Sequence, residues 1–563
     1  MIYHCEDHTC NYWDEGEKLP ERCPQCGRKL LRANEADMTG DDWTALGNTL
    51  WDAEASDKKR MVDCFRKAAY LGSAWGVCNL GICMEQGNGV EADPVQAFWL
   101  YQQAVEMGSL NAVCCLGVCY QYGIGTAPDA KQAAELYCKA AEYGSPRGQM
   151  LLARAFHDGI GVEADAAEAV YWVRAAAYQR YGEGMYRLGV CYEYGDGVEQ
   201  NWERAVHWFR EAAESGVSVA MADLGYCYEK GCGVEQSWEQ AFSWYRRGAE
   251  CGYPVSMSNL GLCYKRGYGV DQNWQEAIKW YEQGAQCGHL QSMNNLACCY
   301  EDGEGVEQNE ERALYWYRRG AEAGSDYCMY CLGWNYSNGE GVEQNMTEAI
   351  RWYTAAAEGG NADAMHDLGW LYDHGEGVEQ DMKKAICWYE RAAEQNHPAA
   401  MNSLGECYAM GRGVPRDLET AMEWYRRAAE LGEAMADYNM GWHLEQAGKL
   451  SEAYAHYRKA ADGNDDSAWW ALGRFYENGV VVAQDGKEAR RCYETGEKLG
   501  SVKCKMRLAR CKLLGIGDRR EKKAGLDLCR QALELAKESS EKEDYGYEAE
   551  MNLLRRTIAE NES

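Results

Sequence analysis

A Leu-Gly pair returns every 36 residues along most of this 563-residue chain. The series, including two Leu-Ala pairs that continue it, is Leu80-Gly81, Leu116-Gly117, Leu152-Ala153, Leu188-Gly189, Leu224-Gly225, Leu260-Gly261, Leu296-Ala297, Leu332-Gly333, Leu368-Gly369 and Leu404-Gly405. A fixed period of this length is typical of stacked supersecondary units, in which each unit buries its apolar face against its neighbours. The spacing therefore predicts a repeat protein and not a single compact core.

The unit from Ser218 to Gly252 shows how one period is built. Each half places apolar residues four apart, which aligns them on one face of a helix. They are Ala220, Leu224 and Tyr228 in the first half, and Ala241, Tyr245 and Ala249 in the second. The segment Gly231-Cys232-Gly233-Val234 interrupts the pattern, and its glycines can adopt the positive φ values of a tight turn. Each unit is therefore predicted to be two antiparallel helices joined by a glycine turn.

The second helix of each unit carries three kinds of residue in register. A row of small residues that lets helices approach closely is Ala205, Ala241, Ala277, Ala313, Ala349, Ala385 and Ala421. A row of tryptophans, predicted to fill the facing space, is Trp208, Trp244, Trp280, Trp316, Trp352, Trp388 and Trp424. Side chains suited to cap the helix start are Asn201, Ser237, Asn273, Asn309, Asn345 and Asp381. Glu276 and Glu348 follow three residues after a cap and predict capping boxes.

The repeat pattern loosens at both ends of the chain. Leu46-Gly47 precedes the next pair by 34 residues, and Met440-Gly441 opens a shortened unit of 32 residues. We therefore expect four segments. They are a small module at residues 1–32, a linker at 33–42, the repeat solenoid at 43–535, and a C-terminal capping helix and tail at 536–563.

The motifs of one unit resemble a known family. Ala-x3-Leu-Gly-x2-Tyr, then Gly-x-Gly-Val, then Ala-x2-Trp-Tyr-x3-Ala-x2-Gly are similar to the Sel-1-like repeat (SLR), a relative of the tetratricopeptide repeat. The resemblance extends over about residues 43–530. It implies an all-α fold: an α/α superhelical solenoid of about fourteen helical hairpins, right-handed, with the first helices lining the concave side. It also implies a non-enzymatic scaffold or adaptor that binds a protein or peptide on that side.

The 27 cysteines fit the repeat better than a disulfide framework. Eight of them follow the anchor leucine by three residues: Cys83, Cys119, Cys191, Cys227, Cys263, Cys299, Cys407 and Cys511. Identical sites in successive units lie too far apart for a disulfide, which needs Cα atoms within about 7 Å. We expect buried free thiols and a reducing compartment. The N-terminus lacks the pattern of a secretory signal, so the prediction is a cytoplasmic protein.

The formal net charge is −31, from 58 Lys and Arg against 89 Asp and Glu. Such a field repels phosphate backbones and anionic lipids, which argues against nucleic acid and membrane partners. The sequence has no run of 18 apolar residues, so we predict no membrane-spanning helix. The charge favours a basic peptide or protein as partner, although it can equally serve solubility alone.

Four cysteines near the N-terminus have the spacing of a metal site. Cys5 and Cys10 form one pair, and Cys23 and Cys26 form a second pair in a Cys-Pro-Gln-Cys-Gly turn. Two such pairs suit tetrahedral thiolate coordination, which predicts one structural zinc ion, with iron or no metal as alternatives. The segment resembles a rubredoxin-type zinc ribbon, but its first pair has four intervening residues and not two. His4 or His8 could replace a cysteine ligand.

Two consecutive units present aromatic side chains at positions that, by analogy with tetratricopeptide repeats, face the groove. We predict that seven groove-facing residues of these two units bind the partner. They are Tyr327, Tyr330, Trp334, His366, Trp370, Asp373 and His374. Similar residues further along are Tyr438, Trp442 and Trp470. Aromatic groups beside carboxylates would anchor a peptide with basic and apolar side chains. The alternative is that these tryptophans pack against the next unit.

Two other functions remain open at this stage. Some cysteine-rich SLR proteins are linked to β-lactam binding or hydrolysis, so one alternative is a β-lactamase-like hydrolase. The Cys-x7-Cys pairing of those relatives is absent, because Asn259 and Asn295 stand eight residues after Cys251 and Cys287. The other alternative is a host-directed bacterial effector, because SLR proteins occur in bacteria that live with eukaryotes.

Overall fold

The computed structural model describes residues 2–5, 13–15, 30–33, 38–51, 55–519, 521–542 and 548–562. Three of the predicted zinc ligands, Cys10, Cys23 and Cys26, lie outside these residues, and for Cys5 only the backbone is described. The predicted metal site therefore stays a prediction.

A three-stranded antiparallel sheet occupies the N-terminal part of the described chain. Its strands are β1 (Ile2–Cys5), β2 (Trp13–Glu15) and β3 (Leu30–Ala33), in the spatial order β2-β1-β3. Tyr3 in the central strand lies opposite Asp14 on one side and Arg32 on the other. The sheet falls within the predicted small module, apart from the last residue of β3.

The rest of the described chain is helical. The chain as a whole divides into two compact units, Met1–Ser292, which includes the sheet, and Met293–Ser563. The helices of unit 1 are α1 (Gly40–Thr49), α2 (Ala55–Tyr70), α3 (Ala74–Gln86), α4 (Pro94–Glu106), α5 (Leu110–Tyr122), α6 (Ala130–Glu142), α7 (Pro146–Asp158), α8 (Ala166–Tyr178), α9 (Gly182–Tyr194), α10 (Trp202–Glu214), α11 (Ser218–Lys230), α12 (Trp238–Glu250), α13 (Pro254–Arg266) and α14 (Trp274–Gln286). Helix α15 (Leu290–Asp302) contains the boundary between the units.

The helices of unit 2 after α15 are α16 (Glu310–Glu322), α17 (Asp326–Asn338), α18 (Met346–Glu358), α19 (Ala362–His374), α20 (Met382–Glu394), α21 (Pro398–Met410), α22 (Leu418–Glu430), α23 (Ala434–Gln446), α24 (Leu450–Asp462), α25 (Asp466–Asn478), α26 (Gly486–Lys498), α27 (Val502–Leu514), α28 (Lys522–Lys542) and α29 (Glu548–Glu562).

Consecutive helices pair as hairpins, and the hairpins stack. Helices α1 to α14 pack as seven pairs in unit 1, and α17 to α28 pack as six pairs in unit 2. The second helix of each of these pairs also packs on the first helix of the next pair in its unit. The prediction of stacked helical hairpins is therefore confirmed, and each unit is a helical solenoid.

The Leu-Gly pair is explained by an aromatic ring that lies against the glycine. A Cβ atom added at Gly225 would lie 2.6 Å from Cε1 of Tyr245, a residue of the second helix of the same hairpin. Equivalent pairs are Gly81 with Tyr101, Gly117 with Tyr137, Gly189 with Phe209, Gly261 with Tyr281, Gly369 with Tyr389 and Gly405 with Tyr425. The absence of a side chain at the glycine therefore lets the two helices of a hairpin approach closely.

The predicted role of the tryptophan row is confirmed only in part, because several of its members pack against the core without being fully buried. The largest fully buried side chains include the residue that directly follows most of these tryptophans, such as Tyr245 and Tyr389. Trp244 is buried, but Trp388 and the other members of the row are half-exposed. Arginine side chains cover several of these rings, with the Arg391 guanidinium 4.3 Å from the centre of Trp388. The tryptophans thus line the border of the core and not its centre.

The predicted helix caps are confirmed at all six positions. The Asn201 side chain, for example, accepts a hydrogen bond of 2.9 Å from the backbone N–H of Arg204. The other five caps make the same type of bond: Ser237, Asn273, Asn309, Asn345 and Asp381.

The two predicted capping boxes do not form. The Glu276 carboxylate accepts from Lys279, and the Glu348 carboxylate accepts from Arg351. These glutamates lie on the exposed face of the first turn, where a cation three residues further on competes for the carboxylate.

The thiols of the cysteine row are buried and form no disulfide in the described residues, as predicted. Burial raises the pKa of seven of these thiols, for example that of Cys83 to about 11. The row therefore consists of neutral, small apolar groups in the core.

Helix α29 packs on α27 and α28 at the end of unit 2. Its Glu550 carboxylate accepts a hydrogen bond of 2.8 Å from Nη2 of Arg507, and Met551 and Leu554 are buried. The predicted boundary at residue 535 falls inside α28, which continues to Lys542. None of the helices in the described residues is long and apolar enough to cross a membrane.

Candidate functional site

A pocket of about 520 Å³ in unit 2 lies beside the first of the two predicted aromatic units. The residues that line it are Glu301, Asp302, Gln308, Tyr330, Cys331, Trp334, Asn335 and Glu340. They come from the C-terminal end of α15, the turn after it, helix α17 and the turn that follows α17. We call these eight residues the acidic pocket.

Three carboxylates give the pocket its charge. Glu301, Asp302 and Glu340 have no ion pair within the described residues, and none of the described lining residues is basic. Glu301 accepts a hydrogen bond of 2.6 Å from the Tyr317 hydroxyl. Burial raises the pKa of the Glu301 carboxyl, and the bond from Tyr317 opposes this shift. The pocket is therefore a concentration of negative charge without an internal counter-ion.

Asn335 supplies a buried polar group to the same pocket. Its side chain is 3% exposed, and its Oδ1 atom has no hydrogen-bond partner in the described part of the chain. Asn335 stands three residues after Leu332, where most other units carry the buried cysteine. Its backbone C=O accepts from Gly339 and Glu340, as the cysteine carbonyl does in other units. Asn335 therefore differs from the cysteine of other units only in its side chain. A buried amide oxygen normally accepts a hydrogen bond, and the Asn335 Oδ1 atom accepts none within the described residues.

Trp334 and Tyr330 form the aromatic part of the pocket. Trp334 is 46% exposed and has no stacked ring or cation against it among the described residues. Tyr330 is half-buried and packs against Tyr353, with ring centres 5.8 Å apart. Tyr330 therefore belongs partly to the core, whereas Trp334 is open to a partner.

Tyr327 also lies on α17 and is 41% exposed. Its hydroxyl lies 3.7 Å from the Cys298 sulfur. Burial raises the pKa of Tyr327, so its hydroxyl stays protonated near neutral pH. Its exposed ring adds to the aromatic surface of the first unit.

Three of the predicted binding residues of the second unit, on α19, contact one another or their neighbours within that helix. Trp370 is 38% exposed and stacks on His374 at 4.3 Å. His366 contacts Asp367, with Nδ1 and Oδ1 3.1 Å apart. Trp370 and His374 remain exposed and His366 is half-buried, and none of the three lines the acidic pocket.

Asp373 has an internal partner that the sequence did not suggest. It is 4% exposed and accepts a hydrogen bond of 2.9 Å from Nη1 of Arg412. The predicted contact between Asp373 and a partner stays untested, but its carboxylate is already neutralised within unit 2.

Three aromatic residues further along differ in their contacts. Trp442 is exposed and lies edge-on to His443. The Tyr438 ring packs against Tyr457, and the guanidinium of Arg474 lies 4.6 Å from the centre of Trp470. Of these three, Trp442 is the most open to a partner.

No group of three or more His, Cys, Asp or Glu side chains in the described residues is placed to hold a metal ion. This applies to the described carboxylates of the acidic pocket and to His366, Asp373 and His374.

Unit 1 has a pocket of about 610 Å³ with a different charge pattern. Its Arg154 pairs with Asp158, and His157 lies between Asp158 and Asp196 at 2.6 and 3.2 Å. The bond to Asp158 raises the pKa of His157. The opposite charges of this pocket thus partly compensate one another, unlike those of the acidic pocket.

Six residues of the acidic pocket were missed by the sequence interpretation: Glu301, Asp302, Gln308, Cys331, Asn335 and Glu340. One signal was present, because Asn335 interrupts the cysteine row with a polar residue. The other five needed the three-dimensional arrangement of α15, α17 and their turns.

The profile of the Sel1 repeat matches twelve segments that together make up more than half of the chain. They are residues 76–109, 112–145, 146–181, 182–217, 218–253, 254–289, 290–325, 326–361, 362–397, 398–433, 434–465 and 468–501.

Two solved structures are similar to this chain. One is c5321, a protective antigen present in uropathogenic Escherichia coli strains and displaying an SLR fold. It is 29% identical with a TM-score of 0.54, over 76% of this chain and 94% of that one. The other is a Sel1 repeat protein from Oxalobacter formigenes, 28% identical with a TM-score of 0.47, over 56% of this chain and 94% of that one. The comparison with curated proteins gave no match.

Proposed function

This chain belongs to the Sel1 repeat family, and from that premise we propose that it is a non-enzymatic scaffold that binds a protein or peptide through unit 2. Stacked hairpins present a continuous surface that is larger than a small-molecule pocket, and repeat proteins use such surfaces for recognition. The non-enzymatic part of the proposal rests on this type of fold.

The observation that carries the proposal is the set of exposed aromatic rings on α17 and α19. Trp334 and Trp370 occupy equivalent positions of successive units, and both are more than one third exposed. Large aromatic side chains dominate the binding energy of protein interfaces, because they bury much apolar area with few rotatable bonds. Their exposure is therefore better explained by a partner than by packing within unit 2.

The charge of the surface supports a basic partner. The acidic pocket contributes three carboxylates without ion pairs in the described residues, and the whole chain has a net charge of −31. Opposite charge accelerates association and excludes acidic competitors.

The experiment compares two double variants in their capture of partners from the native host extract. Trp334→Ala with Trp370→Ala removes the proposed anchors. Trp75→Ala with Trp99→Ala is the matched control, because these tryptophans of unit 1 are 63% and 64% exposed. We expect the first variant to lose specific partners that the control retains, with both melting temperatures unchanged. A large fall in the melting temperature of the first variant would show that its tryptophans serve packing and contradict the proposal.

We also propose that residues 1–32 form a structural zinc ribbon with Cys5, Cys10, Cys23 and Cys26 as ligands. The support is the spacing of the two cysteine pairs, since four thiolates complete a tetrahedral shell. A closed shell of this kind stabilises a small module and leaves no position for a substrate.

A further inference from the structure

We propose that the acidic pocket of unit 2 binds the guanidinium group of an arginine side chain of the partner. The inference rests on the proposed function of unit 2 and adds the chemistry of one side chain that the site recognises.

The charge of the pocket requires a cation. Glu301, Asp302 and Glu340 line one concave space, and none of them has an ion pair within the described residues. Like charges that share a pocket repel one another, and a bound cation converts this repulsion into attraction. A metal ion is a poor candidate, because no three ligand side chains among the described residues are placed to share one.

The buried Oδ1 atom of Asn335 requires a hydrogen-bond donor. It has no partner in the described residues, and the side chain replaces the apolar thiol found at this position in eight other units. An unpartnered buried oxygen destabilises the free protein, so a ligand that donates a hydrogen bond to it gains affinity. The cation must therefore carry N–H groups, which excludes a quaternary ammonium.

Gln308 adds a second amide to the pocket. Equivalent glutamines, such as Gln236 and Gln344, donate to the backbone carbonyl seven residues earlier at 2.8 Å. Gln308 forms no such bond among the described residues, so its amide is not fixed to the backbone and can turn its oxygen toward a ligand.

Trp334 distinguishes arginine from lysine. Its ring has no cation against it in the described part of unit 2, although it is half-exposed at the pocket. Elsewhere in the chain, tryptophans do stack with guanidinium groups, as Trp424 does with Arg427 at 4.4 Å. A planar guanidinium can lie on an aromatic ring and still donate several hydrogen bonds at its edge, which an ammonium group cannot do. The combination of carboxylates, an amide oxygen and an indole thus fits arginine.

The test uses the full chain and two capped tripeptides, acetyl-Gly-Arg-Gly-amide and acetyl-Gly-Lys-Gly-amide. Binding is followed by NMR through the indole N–H signal of Trp334, which is assigned with Trp334→Phe. We expect the arginine peptide to bind with a Kd on the order of 1 mM, as suits one anchoring side chain. We expect the lysine peptide to bind more weakly and added salt to weaken both.

Two variants locate the bound group. Asn335→Cys restores the residue that other units carry, so the melting temperature should hold or rise while arginine affinity falls about tenfold or more. Glu340→Gln should also weaken binding. Its matched control is Glu376→Gln, because Glu376 is exposed at the equivalent position of the next unit and lies outside the pocket.

The outcomes separate this inference from the proposed function. Failure of the arginine peptide to shift Trp334, equal binding of the lysine peptide, or full affinity in Asn335→Cys would each overturn the arginine assignment. If partner capture still depends on Trp334 and Trp370 in that case, the scaffold proposal stands. Arginine binding that Asn335→Cys and Glu340→Gln weaken, and Glu376→Gln does not, establishes the inference.

Discussion

At the scale of single residues, the side chains at two facing positions 20 residues apart have complementary sizes. Gly225 faces the ring of Tyr245, and the same pairing recurs through both units. Where alanine replaces the glycine at Ala153 and Ala509, the residue 20 positions later is the smaller Val173 or Cys529. Ala297 is the exception, because Tyr317 follows it at that distance. Apart from that unit, the repeat combines either a large ring with no side chain or two small side chains at these positions.

This complementarity of size predicts a coupled pair of mutations. Gly225→Ala alone should lower the free energy of unfolding by about 1–3 kcal/mol, because the new methyl group overlaps the Tyr245 ring. In the double variant with Tyr245→Val, which copies Ala153 and Val173, the overlap is gone. The loss should therefore be smaller than the sum of the two single losses, as measured by urea denaturation. Additive losses would show that the close contact is not what the glycine provides.

The two key residues of the acidic pocket, Trp334 and Asn335, differ in how far the sequence predicts them. Trp334 was predictable from its register, since a position two residues after the anchor leucine lies off the buried face. Asn335 was not predicted, because a polar residue in a buried row can equally be satisfied by a neighbour. Only the neighbours of its Oδ1 atom show that it is not satisfied within the described chain.

At the scale of elements, the caps determine where the second helices begin. Each confirmed cap is an Asn, Ser or Asp whose side chain accepts from a backbone N–H two or three residues later. Helices of 13 residues have few internal bonds, so one satisfied N–H at the first turn is a sizeable part of their stability.

Asn201→Ala should therefore lower the free energy of unfolding by about 1 kcal/mol. Asn201→Asp is the control, because it keeps the oxygen that accepts from the Arg204 N–H. Hydrogen exchange should speed up at the first amides of α10 in the alanine variant and stay slow in the aspartate variant. Equal exchange in the two variants would contradict the capping role.

The capping boxes could not be predicted reliably from the spacing of their residues. The spacing of Glu276 after Asn273 was correct for a box, but Lys279 holds the carboxylate instead. At α1 the box does form, with the Asp42 carboxylate accepting from the Thr39 N–H at 2.8 Å. An exposed glutamate can accept either from the N–H of the N-cap residue or from a nearby cation, and the two interactions have similar strength. The sequence alone does not show which one forms.

At the scale of the whole molecule, the proposed zinc ribbon predicts an effect confined to one end of the chain. Treatment with a strong chelator, or Cys23→Ser with Cys26→Ser, should remove one zinc ion per chain by elemental analysis. Helical circular dichroism and the main melting transition should stay unchanged, because repeat proteins gain stability from neighbouring units and not from a distant module. A chain of residues 33–563 serves as the metal-free control. Zinc that persists in that control would assign the metal to other residues.

The amino-acid sequence by itself determined the stacked hairpins, their turns, the caps and the buried thiols. These features depend on residues within one period, and the helical repeat of 3.6 residues settles which of them share a face. The tertiary structure decided which of two adjacent aromatic residues enters the core, as Tyr389 does and Trp388 does not. Neighbouring positions differ by only about 100° around a helix, so the approach of the facing helix makes that choice. The tertiary structure also decided the acidic pocket, because it places Glu301, at the end of α15, and Glu340, in the turn after α17, around one pocket.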